Sequence, residues 1–145
     1  MPDAFEALAD AGATVRGETT FTLDTADATV AVGARDDAGT ASDAAARVLG
    51  TPHVLAQFEA AVRAALRDRL PEGTHAVARS ASVSHLAPVG VGESVDASAT
   101  LVGVDRPDLS FACRAERGDG ASVATGDLTF RVVDRDAFGE RVDGR

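Results

Sequence analysis

The sequence predicts an α+β domain in which one long helix is followed by an antiparallel sheet. Two observations favour this class. The run from Pro52 to about Arg69 repeats apolar residues with the 3.6-residue period of a helix. The chain after it holds four stretches of alternating apolar and polar residues, separated by turn residues. Because 145 residues is the size of one domain, we predict a single domain over 1–145 with its core at about 18–138.

The chain before the long helix predicts shorter elements. A short helix is expected at 3–11, and extended chain at 18–32, where apolar and threonine side chains alternate. Residues 33–40 are rich in Gly and Asp and predict a loop. A short helical turn is expected at 42–49.

The long helix has clear sequence boundaries. Thr51 suits the N-cap position and Pro52 suits the first helical position, while Pro71 and Gly73 end the helix. The apolar stripe consists of Val54, Leu55, Phe58, Ala61, Val62, Ala65 and Leu66.

The four predicted strands cover 76–86, 94–104, 109–116 and 121–133, and the tail that follows is polar. A strand, a long helix and four strands in a meander is the layout of a hotdog fold, in which an antiparallel sheet wraps around one long central helix. Short Ser and Ala side chains leave room for the helix to lie close to the sheet. A generic α+β sandwich is the alternative.

Charge excludes some classes of partner. The net charge is −9, and every basic side chain is an arginine, since lysine is absent. Such a surface repels nucleic acid and anionic lipid. It indicates either solubility alone or, as we favour, adaptation to a salt-rich (halophilic) cytoplasm, where screening lets a dense acidic surface persist. No segment approaches the roughly 20 apolar residues of a membrane span, and the N-terminus lacks the basic start of a signal peptide, so we expect a cytoplasmic protein.

Motifs for metal, phosphate-loop and dinucleotide binding are missing from the sequence. We therefore expect no cofactor and no metal. Cys113 is the only cysteine, so no intrachain disulfide can form. It shares a strand face with Phe111 and Ala115, which favours a buried, inert thiol over a catalytic one.

Three polar residues occupy positions that suit chemistry. Thr51 is either a structural cap, worth about 1 kcal/mol, or part of a helix start that binds an oxyanion. Glu59 lies at the margin of the apolar stripe. It is either a solvated carboxylate paired with Arg63 or a half-buried acid or base with a raised pKa. His85 shares the strand face of Val83 and is either a core residue or a functional one.

At these residues the sequence resembles the fluoroacetyl-CoA thioesterase-like family of hotdog proteins. The similarity covers about residues 18–138, and the Thr, Glu and His spacing agrees with the family. Its motifs are the runs TPHVLAQFE at 51–59, LPEG at 70–73, SVSH at 82–85 and RPDLSFACR at 106–114, with continued similarity at 126–134.

The resemblance implies an acyl-CoA thioesterase, which hydrolyses a small acyl-CoA thioester to free acid and CoA. Thr51, Glu59 and His85 are its implied catalytic residues. It also implies no metal and a homodimer with active sites at the subunit interface. The segment between residues 33 and 50 is short and Ala-rich. It does not match the lid that gives the enzyme after which the family is named its selectivity for fluoroacetyl-CoA. That substrate is therefore not carried over.

Helix geometry adds an expectation about the dimer. Thr51 and Glu59 are eight residues apart on one helix, which places them about 12 Å apart along its axis. Reacting groups must approach within about 3–3.5 Å. We therefore predict that Thr51 of one chain meets Glu59 and His85 of the partner subunit.

Two other functions fit the same fold. One is a non-catalytic acyl-CoA binding or sensing protein, which hydrolysis assays would distinguish. The other is a hotdog hydratase acting on enoyl thioesters. The sequence lacks an evident hydratase Asp and His motif, which disfavours this second alternative.

Overall fold

Residues 3–30 and 47–144 are described by the structure, a computed structural model, and they confirm the α+β class. In chain order the elements are α1 (Ala4–Ala11), a 3-10 turn (Gly12–Thr14), β1 (Arg16–Thr22), β2 (Thr29–Val30), β3 (Arg47–Val48), α2 (Thr51–Ala65), β4 (Thr74–His85), β5 (Ser94–Asp105), β6 (Asp108–Arg117), β7 (Ser122–Asp134) and α3 (Arg135–Val142). No helix in the described ranges is long and apolar enough to cross a membrane.

The described strands form a large sheet and a small ribbon. The sheet has the order β1-β5-β6-β7-β4, with antiparallel neighbours throughout. The ribbon pairs β2 with β3, and Val48 also bridges to Gly90. Helix α2 packs its apolar stripe on one face of the sheet, where Phe58, Phe111 and Phe130 are among the largest fully buried side chains. This core positions both ends of α2 against the sheet.

Glycines bring α2 closest to the sheet. A Cβ atom at Gly17 of β1 would lie 2.1 Å from the Ala61 carbonyl oxygen of α2. A Cβ atom at Gly126 of β7 would lie 2.9 Å from the ring of Phe58. The short Ser and Ala side chains were expected to give this room, but at these two contacts only glycine fits.

The boundaries of α2 differ from the prediction at both ends. Gly50, not Thr51, is the N-cap, and Thr51 is the first helical residue, without a capping hydrogen bond from its side chain. The helix ends at Ala65 instead of about Arg69. Asp68 has a positive φ of 61°, and such a left-handed residue cannot continue a right-handed helix.

Strand β4 pairs with β7 and not with β5. The predicted meander therefore holds only for β5 to β7, and β4 lies at an edge of the sheet. A register shift between Ala78 and Ser80 also changes which residues share a face. Val83 and His85 lie opposite Gly126 and Ala124 of β7 on the core side, as predicted. Val77, which precedes the shift, lies opposite Arg131 on the other side of the sheet.

Three further predictions concern the loop at 33–40, the helical turn at 42–49 and the polar tail. The loop at 33–40 lies outside the described residues. So does most of the helical turn at 42–49, and its described end, Arg47–Val48, is a strand. The polar tail contains a helix that the sequence pattern did not predict. Asp134 caps this helix by accepting a hydrogen bond from the Ala137 amide at 2.9 Å.

Candidate active site

Thr51 and His85 of the same chain meet at one end of α2. Thr51 is the first residue of α2 and His85 is the last residue of β4. The Thr51 Oγ1 and His85 Nδ1 atoms lie 3.1 Å apart, within hydrogen-bonding distance. The expectation that Thr51 meets His85 of the partner subunit is therefore wrong. Because β4 runs back along α2 after the turn that follows the helix, its end returns to the helix start.

The second ring nitrogen of His85 has no partner among the residues that the structure describes. His85 is half-buried, and its Nε2 atom is buried without a hydrogen bond to any described residue. When the Thr51 hydroxyl donates to Nδ1, the neutral ring carries its proton on Nε2. An unsatisfied buried donor costs about 1–3 kcal/mol. Nε2 is therefore positioned to donate to an acceptor that comes from outside the described part of this chain.

The Thr51 and His85 pair lies in a cleft of about 500 Å³. The cleft is bounded by the start of α2, the end of β4 with the loop after it, and the ribbon of β2 and β3. Its apolar wall includes Val30, Val48, Leu49, Leu86 and Pro88. A hydroxyl and an imidazole in a largely apolar cleft suit the attack of a nucleophile on an uncharged carbonyl.

The helix start offers fewer free amides than a helix start usually does. The Gly50 carbonyl oxygen accepts hydrogen bonds from the amides of His53 at 3.0 Å and Val54 at 3.2 Å, and Pro52 has no N–H group. The Thr51 amide has no backbone acceptor among the described residues. The amide of the N-cap residue Gly50, which also lines the cleft, likewise has no backbone acceptor among the described residues. The predicted amide site therefore reduces to the N–H groups of Gly50 and Thr51 and the dipole of α2.

Glu59 is not brought to this pair within one chain. It is half-buried in the middle of α2, and it forms no hydrogen bond or salt bridge with any residue that the structure describes, Arg63 included. Eight residues of helix separate it from Thr51, about 12 Å along the axis.

The flank of α2 that carries Glu59 faces strand β4. On the other flank, Gln57 accepts a hydrogen bond from Thr19 of β1 at 3.2 Å. Glu59 follows Gln57 by two residues, which is about 200° around the helix, and so points away from β1. Leu66 lies near the direction of Glu59 and lines a second cleft together with Ala76 of β4.

Cys113 is buried, as predicted. Burial, with the nearby charge of Asp127, raises the pKa of its thiol to about 12. A thiol that stays protonated at neutral pH is a poor nucleophile, so Cys113 does not compete with Thr51 for that role.

The sequence pattern did not predict the residues that shape the cleft. Val30 and Val48 lie on strands of two residues, too short for alternation to reveal. Leu86 is the last residue of the predicted strand at 76–86, but it follows the observed strand β4, which ends at His85. Arg117 holds the loop after His85 by donating to the Pro88 carbonyl at 2.9 Å. A lone arginine near a turn carries no signal of that contact in the sequence.

Comparisons with known proteins agree with this architecture. The family described as FlK, fluoroacetyl-CoA-specific thioesterase, matches residues 32–136. Among solved structures, the fluoroacetyl-CoA thioesterase FlK is 19% identical, with 90% of this chain and 93% of that chain covered and a TM-score of 0.75. A thioesterase superfamily member from Thermus thermophilus is 16% identical, with coverage of 90% and 91% and a TM-score of 0.74.

A hot-dog-like protein from Thermanaerovibrio acidaminovorans is 25% identical, with coverage of 90% and 89% and a TM-score of 0.72. No curated protein matches the sequence at a significant level. The structural likenesses confirm the predicted hotdog fold.

Proposed function

Since the chain belongs to the fluoroacetyl-CoA-specific thioesterase family and is thus a thioester hydrolase, we propose that it hydrolyses a small acyl-CoA with Thr51, His85 and Glu59. The observation that carries the proposal is the contact of 3.1 Å between Thr51 Oγ1 and His85 Nδ1. A nucleophile within hydrogen-bond reach of a base is the arrangement that acyl transfer needs. Structural neighbours in complex with acetyl-CoA and with fluoroacetate support a small acyl group.

The proposed reaction has two steps. The Thr51 hydroxyl attacks the thioester carbon while His85 Nδ1 takes its proton, the carbon–sulfur bond breaks, and His85 returns the proton to the CoA sulfur. Water then hydrolyses the threonine ester to the free acid, again with His85 as base. Alternatively, Thr51 positions a water molecule that attacks directly, and the products are the same. In both routes the N–H of Thr51 and the start of α2 stabilise the negative charge on the carbonyl oxygen.

Glu59 enters this scheme from a second copy of the chain. Its position, half-buried on the flank of α2 that faces β4, supports this role. A Glu59 carboxylate that accepts a hydrogen bond from the buried His85 Nε2 of the other copy would hold the ring in the required tautomer. It would also stabilise the imidazolium that forms during catalysis, as the acid of a Ser-His-Asp triad does.

The exposed edge of β4 supports a homodimer. Over its 12 residues β4 pairs only with β7 among the described strands, which leaves the other edge of β4 open. Long open edges pair readily with another chain. Pairing two β4 edges across a two-fold axis makes one continuous sheet, with the two α2 helices antiparallel on the same face. The middle of one α2 then lies beside the start of the other.

Subunit mixing tests this division of the site. We expect Glu59→Gln and Thr51→Ala homodimers to be nearly inactive, and their heterodimers to regain one wild-type site in two. That site takes Thr51 and His85 from the Glu59→Gln chain and Glu59 from the other chain. Free thiol released from a panel of short acyl-CoAs measures the activity.

The matched control mixes Thr51→Ala with His85→Ala. Because these two residues act within one chain in our proposal, no wild-type site forms and no activity returns. Recovery in this control would mean that Thr51 and His85 act across the interface. If subunit exchange is verified and neither mixture recovers, each chain carries its own catalytic set. A wild type that binds acyl-CoA without releasing thiol is instead the binding or sensing protein of the same fold.

A further inference from the structure

Three exposed arginines cluster at the end of α2 and in the turn after it. Arg63, Arg67 and Arg69 have no carboxylate within salt-bridge distance among the described residues. The arginines that do form salt bridges are Arg16, Arg79, Arg106, Arg114, Arg117 and Arg131. Arg47, Arg135 and Arg141 also form no salt bridge in the described part of the chain, but only Arg63, Arg67 and Arg69 lie close together in sequence. On a chain with a net charge of −9, these three form a local basic patch that suits an anion.

A cleft of about 320 Å³ lies beside this cluster. It runs between the second half of α2 and the start of β4, and Arg63 and His75 contribute to its lining. Its walls are apolar and include Leu66, Ala76 and Phe130. The nearby carboxylates, Asp68 and Glu72, are exposed and form no salt bridge with the three arginines. An apolar cleft with arginines at one end suits a ligand that is neutral along its length and anionic at its tail.

The spacing along α2 matches the shape of CoA. Arg63 lies four residues after Glu59, about 6 Å farther along the axis, and α2 ends at Ala65, about 9 Å beyond Glu59. Arg67 and Arg69 follow in the turn after the helix. The pantetheine arm joins the thioester sulfur to the diphosphate through about a dozen bonds. An extended peptide with that number of bonds has four residues and spans about 13 Å. A thioester held near Glu59 thus places the diphosphate beyond the end of α2, where the turn carries Arg67 and Arg69.

We propose that Arg63, Arg67 and Arg69 bind the phosphate groups of CoA, with the pantetheine arm in the adjacent cleft. The inference rests on the proposed function, because the thioester lies between Glu59 of this chain and the Thr51 and His85 pair of a second copy. Guanidinium groups bind phosphate oxygens in a bidentate manner and keep their charge at every working pH. The arginine cluster of one copy therefore binds the CoA whose thioester is hydrolysed by Thr51 and His85 of the other copy.

The test compares two substrates that share one acyl group. An acyl-CoA carries the phosphates, and the corresponding acyl-pantetheine does not. For the variant with Arg63→Gln, Arg67→Gln and Arg69→Gln together, we expect KM for the acyl-CoA to rise about 10- to 100-fold, because the charge-assisted hydrogen bonds from the guanidinium groups to the phosphates are lost. We expect kcat to be unchanged, and KM for the acyl-pantetheine to be the same as in the wild type.

A charge-matched control carries Arg16→Gln, Arg114→Gln and Arg141→Gln, which lie on β1, β6 and α3. It should leave both KM values near those of the wild type, with all variants assayed at one KCl concentration at which they are folded. If the cluster only stabilises the end of α2 through the helix dipole, the thermal midpoint falls while the ratio of the two KM values stays constant. That result, or an equal rise of both KM values, overturns the phosphate site while leaving the hydrolase activity intact.

Direct binding separates this inference from the proposed function. If the wild type hydrolyses neither substrate, the proposed function fails, and calorimetry with CoA and with pantetheine decides the phosphate site alone. Tighter binding of CoA than of pantetheine, lost in the triple variant and kept in the control, supports the site. Equal affinities, or CoA binding that survives in the triple variant, overturn it.

Discussion

At the scale of single residues, His85 combines two properties that are seldom found together in a purely structural histidine. Its Nδ1 atom contacts a hydroxyl at 3.1 Å, and its buried Nε2 atom has no partner in the described part of the chain. Buried polar groups are nearly always hydrogen-bonded, so an exception calls for an explanation. A base that completes its hydrogen bonds only with a second copy or a substrate is such an explanation.

Replacing His85 tests its role directly. We expect His85→Ala to lower kcat for short acyl-CoAs by about 10²–10⁴-fold, the usual contribution of a general base. The fold should remain, because Nε2 makes no bond to the described residues that the substitution would break. Turnover and far-UV circular dichroism measure the two effects.

Ser84→Ala, on the same strand and exposed, is the matched control and should keep wild-type turnover. A folded His85→Ala protein with full activity would reduce His85 to a core residue and remove the base from the mechanism.

At the scale of elements, the contact between α2 and the sheet depends on the absence of a side chain at Gly17. The Cβ of any other residue there would lie 2.1 Å from the Ala61 carbonyl oxygen and 2.4 Å from the Ala65 amide nitrogen. Both atoms belong to the backbone of α2, so relief requires a shift of the whole helix. That shift would also move Thr51 and Glu59, because both lie on α2.

We therefore expect Gly17→Ala to lower the free energy of unfolding by about 1–3 kcal/mol or more, the usual cost of overpacking. It should also reduce activity. Thermal or denaturant melts measure the stability, and thiol release measures the activity.

Gly139→Ala is the control. Gly139 lies in α3 with no atom within 4 Å of the added Cβ, and alanine favours a helix by about 0.5–1 kcal/mol over glycine. The control should thus be as stable as the wild type or more so. A Gly17→Ala protein with wild-type stability would mean that α2 lies farther from β1 than the structure places it.

At the scale of the whole molecule, the surface is acidic and free of lysine, with a net charge of −9. Like charges on one domain repel each other and disfavour the compact state. In molar salt the Debye length falls to about 3 Å, which removes most of that repulsion. Adaptation to a salt-rich cytoplasm remains a prediction, and so does the assignment of residues 1–145 to a single domain.

We expect the thermal midpoint to be higher in molar KCl than in low KCl, because screening relieves the repulsion between carboxylates. Thermal melts over a KCl series measure it. A variant with Asp10→Asn and Asp105→Asn, both exposed in the wild type, should depend less steeply on salt. Equal or greater wild-type stability at low salt would refute the halophilic interpretation.

The sequence alone determined the elements that depend on local chemistry. Periodicity located α2 and the strands β5, β6 and β7 to within a few residues, because a helix or strand with one buried face imposes its own spacing. The resemblance indicated the family, which the family match confirms. It also implied Thr51, Glu59 and His85 as catalytic residues, and this assignment stays a prediction. Alternation also placed Val83 and His85 on the core side of β4.

Which of these residues meet depends on the folded chain. Nothing local marks β4 as the partner of β7, because strand order is set by how the sheet curls around α2. That curl brings His85 to Thr51 of its own chain and leaves Glu59 on the flank facing β4. Contacts between residues distant in sequence depend on the packing of the whole core. Spacing along one helix could therefore predict that Thr51 and Glu59 stay apart, but not which chain supplies His85.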